Sequence, residues 1–254
     1  MDALYDTLVM ARRSLRHTIR SLDTIITVAI TPIAMMLLFV YVFGSSFNPG
    51  SVDYINFITP GIVLMCVVSG IAYAALRLNN DMTKGIISRF KTMPIAPSSV
   101  LGGHAVSSVL SNLFSAVLVM IVAFLIGFRS DAGIAQWLAF GGILLLFTLA
   151  TTWLAIVFGL LAKSAEGAGA FSYILLLLVF ISSGFTPTDN MTPVLRAFAD
   201  NQPMTPIIET MRSLLLNGSA GDSAWPAVTW CSGLLIASYL IALRIYKKKT
   251  VSLP

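Results

Sequence analysis

Charged residues are scarce in this 254-residue sequence: they form 11% of it, whereas hydrophobic residues form 57% and the mean hydropathy is +0.86. A soluble domain carries about 25% charged residues and needs polar groups to cover its surface. The composition therefore excludes a water-soluble enzyme, a disordered chain and a disulfide-stapled secreted module. It indicates a polytopic membrane protein.

Cysteine and the common catalytic motifs are also nearly absent. Cys66 and Cys231 both lie in apolar runs, where cysteine usually acts as a small hydrophobe, and their spacing supports neither a disulfide nor a metal pair. The sequence contains neither G-x-x-x-x-G-K-[ST] nor H-E-x-x-H, so it has no P-loop of its own for ATP and no zinc-protease helix. We predict no catalytic residue, no metal site and no cofactor bound by this chain, which is not an enzyme.

Long apolar runs are what the sequence has instead. Six segments qualify as spans: residues 24–44, 57–76, 105–127, 137–161, 167–185 and 225–243. Each is close to the length of about 20 residues that a helix needs to cross about 30 Å of hydrocarbon, and none contains Asp, Glu, Lys or Arg. A lone strand cannot satisfy its backbone in lipid. We therefore predict an all-α fold with six transmembrane helices in a single transmembrane domain, residues 1–254.

The basic residues indicate the orientation of these spans. All but Arg129, Arg196 and Arg212 of the 16 lysines and arginines fall before the first span, after the last, or in the loops after the second and fourth. Cytoplasmic loops carry such an excess. The pattern predicts a multi-pass protein of the cell membrane with both termini in the cytoplasm. Because the basic groups lie beside spans rather than on one basic face, nucleic acid is not expected as a partner.

Three segments outside the spans have features of their own. Residues 1–23 predict an amphipathic interfacial helix, because apolar residues recur every three or four positions among four arginines; a polar extension of the first span is the alternative. Residues 78–104 are predicted to form a cytoplasmic loop that carries both apolar and basic groups. Such a loop is suited to docking a partner protein; the alternative is that its positive charges only keep it on the cytoplasmic side of the membrane.

The segment of residues 186–224 lies between the fifth and sixth spans and is broken by Pro187, Pro193, Pro203 and Pro206. It carries two apolar patches. One consists of Val194, Leu195 and Phe198; the other of Ile207, Ile208, Met211, Leu214 and Leu215, with Glu209 and Arg212 at i, i+3. We predict two short helices that dip into the outer membrane face.

The sequence resembles the membrane subunit of ABC-2-type exporters, close to the daunorubicin-resistance permease group. Three blocks carry the resemblance: PIAMMLLFVYVFG from Pro32; YINFITPGIV from Tyr54, followed by Asp81, Lys84-Gly85 and RFKTMPIAPSSVLGG from Arg89; and SSGFTPTDNMTPVLRAFADNQPMTPIIETMRSLLLNG from Ser182. Ser98 and His104 stand where many relatives carry Arg, and Lys91 replaces a frequent Arg. These departures bear on the identity of the ATPase partner.

The resemblance implies a permease that forms a homodimer, or a heterodimer with a related permease, and joins two separate ATP-binding subunits that hold the ATP and magnesium. It places ATPase coupling in the cytoplasmic loop, at Asp81, Lys84, Gly85, Arg89, Phe90, Lys91 and Pro94. It also makes the outer segment a set of re-entrant helices that narrow the exit, with Pro187, Pro193, Pro203, Pro206, Glu209 and Arg212 as gate residues.

The absence of ionisable groups from the spans argues against a self-powered secondary transporter, which places such groups inside its helix bundle. We therefore expect an ATP-driven export permease for a hydrophobic or amphiphilic substrate such as a drug or lipid. An ATP-independent channel or facilitator and an amphiphile-binding immunity protein are the alternatives. The sequence singles out no substrate-binding residue.

Overall fold

A computed structural model describes residues 22–44, 53–83 and 97–251, and the described residues are helical, with no strand among them. Within these ranges eight α-helices follow one another: α1 Leu22–Leu38, α2 Tyr54–Thr83, α3 Pro97–Ile126, α4 Ile134–Leu161, α5 Ala165–Phe180, α6 Pro193–Asn201, α7 Met204–Leu216 and α8 Ala224–Val251. A π-helical turn, Phe39–Phe43, continues α1, and a 3-10 turn, Thr188–Asn190, precedes α6.

Four of these helices are long and apolar enough to cross a membrane: α2, α3, α4 and α8. Two shorter apolar helices accompany them: residues Val28–Phe43, which include the π-helical turn, and α5. A hydroxyl cap begins α5, since the backbone N–H of Gly167 donates to Ser164 Oγ at 3.1 Å. The all-helical architecture expected from the apolar runs is thus present in the described residues, and four of these helices have the length and hydropathy of a membrane span. The number of spans stays a prediction.

Helix α2 lies at the centre of the fold, in contact with α1, α3, α4, α5 and α7. In its most apolar stretch 78% of the residues are buried, against 22% for α8. The 30 residues of α2 extend over about 45 Å at 1.5 Å per residue, so the helix is longer than the hydrocarbon layer of about 30 Å. Its two ends therefore reach beyond the apolar core, where polar contacts are available.

Helices α3 and α8 keep large apolar side chains on their outward faces. On α3 these include Leu110, Phe114, Val117, Ile121 and Leu125, and on α8 they include Trp225, Ile236, Leu240 and Ile241. An apolar face of this size on a soluble monomer would be unstable in water. Lipid, or a second protein, has to cover it.

The helices differ in extent from the predicted spans. Helix α2 continues seven residues past 76, and α3 begins at Pro97, so both enter the segment predicted as a cytoplasmic loop over 78–104. Helix α5 ends at Phe180, before the predicted limit of 185, and a turn follows. The predicted interfacial helix over 1–23 lies outside the described residues up to 21; Leu22 already belongs to α1.

Candidate functional site

No group of three or more His, Cys, Asp or Glu side chains that could hold a metal occurs in the described ranges. Cys66 and Cys231 are both free and buried. Two polar regions, one at each end of α2, are the candidate sites. The first, at its N-terminal end, involves the segment that connects α5 to α8.

Prolines mark where the elements of this segment begin. Pro187 precedes the 3-10 turn, Pro193 is the first residue of α6, Pro203 immediately precedes α7, and Pro206 lies in the first turn of α7. The first N–H groups of a helix have no partner within it, so a proline at these positions removes no helical hydrogen bond. The prolines thus set the starts of these helices rather than interrupt them.

The two predicted apolar patches of this segment have different surroundings. Val194, Leu195 and Phe198 are exposed on α6, whereas the patch on α7 is buried in the main core. Neither helix can span a bilayer, since α6 has 9 residues and α7 has 13. Helix α7 is therefore a short helix enclosed by the longer ones, and α6 lies at the surface.

One face of the first turns of α2 packs against this segment, and we call the contact the α2 junction: Tyr54, Phe57 and Gly61 of α2 against the turn 181–185 and α7. The Tyr54 hydroxyl donates to the Phe185 carbonyl at 3.2 Å. The Phe57 carbonyl accepts from Arg212 Nε at 3.0 Å. These α2 residues are three and four apart, which places them on one side of the helix.

Glycines bring the two backbones of the α2 junction into direct contact. A Cβ built on Gly61 would stand 2.8 Å from the carbonyl oxygen of Gly184 and 2.9 Å from its Cα. A Cβ on Gly184 would stand 3.2 Å from Ile208 Cδ1 of α7. Any larger residue at position 61 would push the turn away, so the close approach depends on glycine there.

Arg212, which lies on α7, contacts both of the other parts of the α2 junction, namely helix α2 and the turn 181–185. Its Nη2 donates to the Ser183 carbonyl, and its Cζ lies 3.8 Å from the centre of the Phe57 ring. Burial lowers the pKa of Arg212 to about 10, and the charge of Glu209 acts in the opposite direction. The guanidinium therefore remains protonated at neutral pH. A cation over an aromatic ring contributes about 0.5–2 kcal/mol, depending on its desolvation.

Glu209 and Arg212 form hydrogen bonds with different parts of the fold, although their i, i+3 spacing is typical of an ion pair. The Glu209 carboxylate accepts from Ser223 Oγ at 2.8 Å, immediately before α8. Arg212 is bound instead to the backbone of α2 and of the turn. Helix α7 is therefore held on one side to the start of α8 and on the other to the start of α2.

Additional hydrogen bonds fix the same region. Ser130 Oγ donates to the Leu215 carbonyl at 2.6 Å, and the Arg129 backbone N–H donates to Asn56 Oδ1 at 2.9 Å. Gln202, between α6 and α7, donates through Nε2 to the Leu178 carbonyl at 2.8 Å. The connection between α3 and α4 thus binds both α2 and α7, and the segment as a whole is anchored rather than free.

The second polar region lies at the C-terminal end of α2. Asn79 is buried and its Nδ2 donates to the carbonyls of Gly159 and Ala162, at 3.0 and 2.8 Å. These carbonyls belong to the end of α4, which has no helical partner for them. Asn79 thereby caps α4 from the side.

Asp81, which was predicted to lie in the loop, is instead in the last turns of α2. Its Oδ2 lies 3.2 Å from His104 Nε2, on the facing turn of α3. This contact links the two helices that lead into and out of residues 84–96. The remaining predicted coupling residues, Lys84, Gly85, Arg89, Phe90, Lys91 and Pro94, lie outside the described residues.

Sequence reasoning had no residue-level role for Asn79, and named Gly61 only within the YINFITPGIV block. Asn79 is a polar residue that closely follows the apolar run 57–76. A polar residue in that position is typical of the start of a loop, so it did not indicate a continued helix. For Gly61 the signal was a proline followed by glycine inside a span. Neither pattern reveals its partner, because both residues contact backbone atoms far away in the sequence.

Comparison with known proteins shows which family the sequence matches. Residues 5–216 match the family described as ABC-2 type transporter. The chain is 28% identical over 227 residues, 89% of this chain and 80% of the relative, to the daunorubicin resistance ABC transporter permease protein DrrB1 of Streptomyces coeruleorubidus. It is 20% identical over 231 residues, 91% of this chain and 84% of the relative, to the probable doxorubicin resistance ABC transporter permease protein DrrC of Mycobacterium tuberculosis. This chain belongs to the ABC-2 type transporter family.

Proposed function

We propose that this chain is the membrane permease of an ATP-driven exporter and moves a hydrophobic or amphiphilic molecule out of the cytoplasm or the inner leaflet. The family match over residues 5–216 carries the proposal. The absence of ionisable groups from the apolar runs supports it, because the energy for transport then has to come from another polypeptide. Relatives named for resistance to daunorubicin and doxorubicin support an amphiphilic drug-like substrate.

In this proposal the C-terminal end of α2 faces the cytoplasm and the α2 junction faces outside. The excess of basic residues around residues 77–91 and after residue 243 supports that orientation. The protein would lie in the cell membrane. Because six is an even number of spans, both of its termini would then be in the cytoplasm. Two copies of this chain would join two ATP-binding subunits, which bind ATP and magnesium.

Coupling to the ATPase is proposed for Asp81 and for the residues Lys84, Gly85, Arg89, Phe90, Lys91 and Pro94 that follow it in the sequence. We call the contact between Asp81 and His104 the cytoplasmic stem. The outer gate is proposed for the segment between α5 and α8. The buried α7 and its ties through Arg212 and Glu209 support this role, because they place a short, firmly held helix beside the central helix α2.

A combined purification and transport experiment tests the proposal. The tagged chain is extracted from its native membranes in mild detergent, and we expect an ABC ATPase to co-purify with it. Inside-out vesicles that contain both proteins should accumulate daunorubicin when ATP is added, and should not when the P-loop lysine of the ATPase is replaced. ATP-independent flux through the chain alone would indicate a channel, and binding without accumulation an immunity protein.

A pair of arginine variants tests the coupling loop. Arg89→Ala should lower the amount of daunorubicin moved per ATP hydrolysed, because it removes a cation from the proposed contact with the ATPase. Arg244→Ala is the matched control, since Arg244 is an exposed arginine of α8 outside both the coupling loop and the outer gate. Equal coupling ratios for the two variants would contradict the proposed role of Arg89.

A further inference from the structure

Helix α2 has a weak point at residues 59–61. Pro60 is inside the helix and has no N–H to donate to the Asn56 carbonyl, and its ring crowds the preceding turn. Thr59 Oγ1 donates to the Ile55 carbonyl at 2.7 Å, a bond that bends helices slightly. Gly61 follows, with the lowest helix propensity after proline. Three consecutive residues thus weaken the helix at one place.

The residues before this point are bound to neighbouring elements and not only to the rest of α2. We call residues 54–58 the cap. Tyr54 is bound to the turn, Asn56 to the Arg129 backbone and Phe57 to Arg212. The cap is therefore held to α7, to the turn 181–185 and to the connection between α3 and α4.

The residues after this point have their own set of partners. We call residues 62–83 the arm. Close to its end, Asn79 is bound to the end of α4 and Asp81 contacts His104 of α3. A Cβ on Gly159 of α4 would stand 2.8 Å from the Ala75 carbonyl oxygen, so arm and α4 backbones touch. The arm is thus held at the opposite end of the molecule from the cap.

The contact at the weak point allows a change of angle. Gly61 meets Gly184 through backbone atoms, without side chains that interlock. Because glycine has no side chain, no side chain at position 61 or 184 stands in the way of a rotation of the arm against the cap about this contact. A larger side chain at either position would remove this freedom.

We propose that residues 59–61 are a flexure that divides α2 into a fixed cap and a moving arm, and that Arg212 is the positioning residue that keeps the cap on α7. The proposal rests on the proposed function and describes how a movement at the cytoplasmic stem is transmitted to the outer gate. The arm tilts about Gly61, while Arg212 holds the cap and α7 together.

A distance measurement tests the flexure without the ATPase. Spin labels are placed on cysteines at Asp53 and Thr83, which are exposed at the two ends of α2, and the labelled chain is mixed with an excess of unlabelled chain in lipid nanodiscs so that only distances within one copy are measured. Labelled protein without the introduced cysteines controls for Cys66 and Cys231, both buried. Pro60→Ala should narrow the distance distribution, because it restores the helical hydrogen bond. An unchanged width would overturn the proposal. Pro32→Ala, in the interior of α1, is the matched proline control and should leave the width unchanged.

A second measurement uses the complex with its ATPase in vesicles. Pro60→Ala should raise the midpoint of thermal unfolding, because the helix is more regular. It should nevertheless lower the amount of substrate moved per ATP hydrolysed several-fold. A variant that was merely misfolded would lower both quantities. Arg212→Gln should lower the same ratio, and Arg212→Lys should restore part of it. Wild-type transport by Pro60→Ala would overturn the flexure. If the wild-type complex moves no substrate with ATP, the proposed function fails, while the label distances still decide the flexure.

Discussion

Replacement of Gly61 by alanine is the sharpest test of the packing at the α2 junction. The new methyl carbon would stand 2.8 Å from the Gly184 carbonyl oxygen, 2.9 Å from its Cα and 3.0 Å from its carbonyl carbon. Ordinary carbon contacts lie at about 3.5–4.0 Å, so the turn has to withdraw by roughly 0.5–1 Å. These are backbone atoms, which cannot rotate out of the way as a side chain does.

The free-energy change follows from two opposed terms. Overpacking of a close-packed site costs about 1–3 kcal/mol, and a clash with backbone atoms falls in the upper part of that range, at about 2–3 kcal/mol. The higher helix propensity of alanine offsets about 1 kcal/mol of that cost. We expect a net loss of about 1–2 kcal/mol, which corresponds to a fall of roughly 2–8 °C in the unfolding midpoint at about 2–4 °C per kcal/mol for a chain of this size.

Thermal unfolding in lipid nanodiscs, followed by tryptophan fluorescence, measures this change. Gly141→Ala is the matched control, because it is the same exchange in α4 with nothing within 4 Å of the new Cβ. Its midpoint should stay the same or rise slightly. If Gly61→Ala and Gly141→Ala have equal midpoints, the backbone contact between α2 and the turn does not exist as described, and the reasoning is refuted.

Three further predictions use the same unfolding assay. Asn79→Ala leaves two carbonyls at the end of α4 without their donor and should cost about 1–3 kcal/mol. Asn79→Asp should not restore the loss, since a carboxylate cannot donate to them. Tyr54→Phe removes one hydrogen bond at the start of α2 and should cost about 0.5–1.5 kcal/mol; an unchanged midpoint would mean that the hydroxyl prefers solvent. Arg196→Ala breaks exposed ion pairs and should cost no more than about 1 kcal/mol, less at high salt.

The apolar runs predict where the long helices lie, but they locate only the part of each helix that the hydrocarbon layer would cover and not its ends. Residues 77–83 continue α2 because Asn79 and Asp81 find partners on α4 and α3, and hydropathy contains no information about such partners. Helix α5 shows the opposite error. Its apolar run continues to residue 185, yet the helix ends at Phe180, where serines and Gly184 form the turn against Gly61.

The polar contacts of the α2 junction were less accessible from sequence. The i, i+3 spacing of Glu209 and Arg212 indicates a helix face, and both residues do lie on α7. Their partners are a serine hydroxyl and two backbone carbonyls. Because every residue carries a carbonyl, no pattern in the sequence identifies which one an arginine will reach. Only the packing of α2 against α7 determines it.

The shallow burial of α8 has a consequence for how the molecule is assembled. Helix α8 contacts mainly α4 and α7, through features such as the edge-to-face pair of Trp153 and Tyr239, whose centroids are 4.8 Å apart. Synthesis proceeds from the N-terminus, so α8 enters the bilayer after every helix it touches. In a two-stage assembly of membrane helices it docks last. Until it docks, the side of α4 that it covers, including Trp153, is left open to lipid.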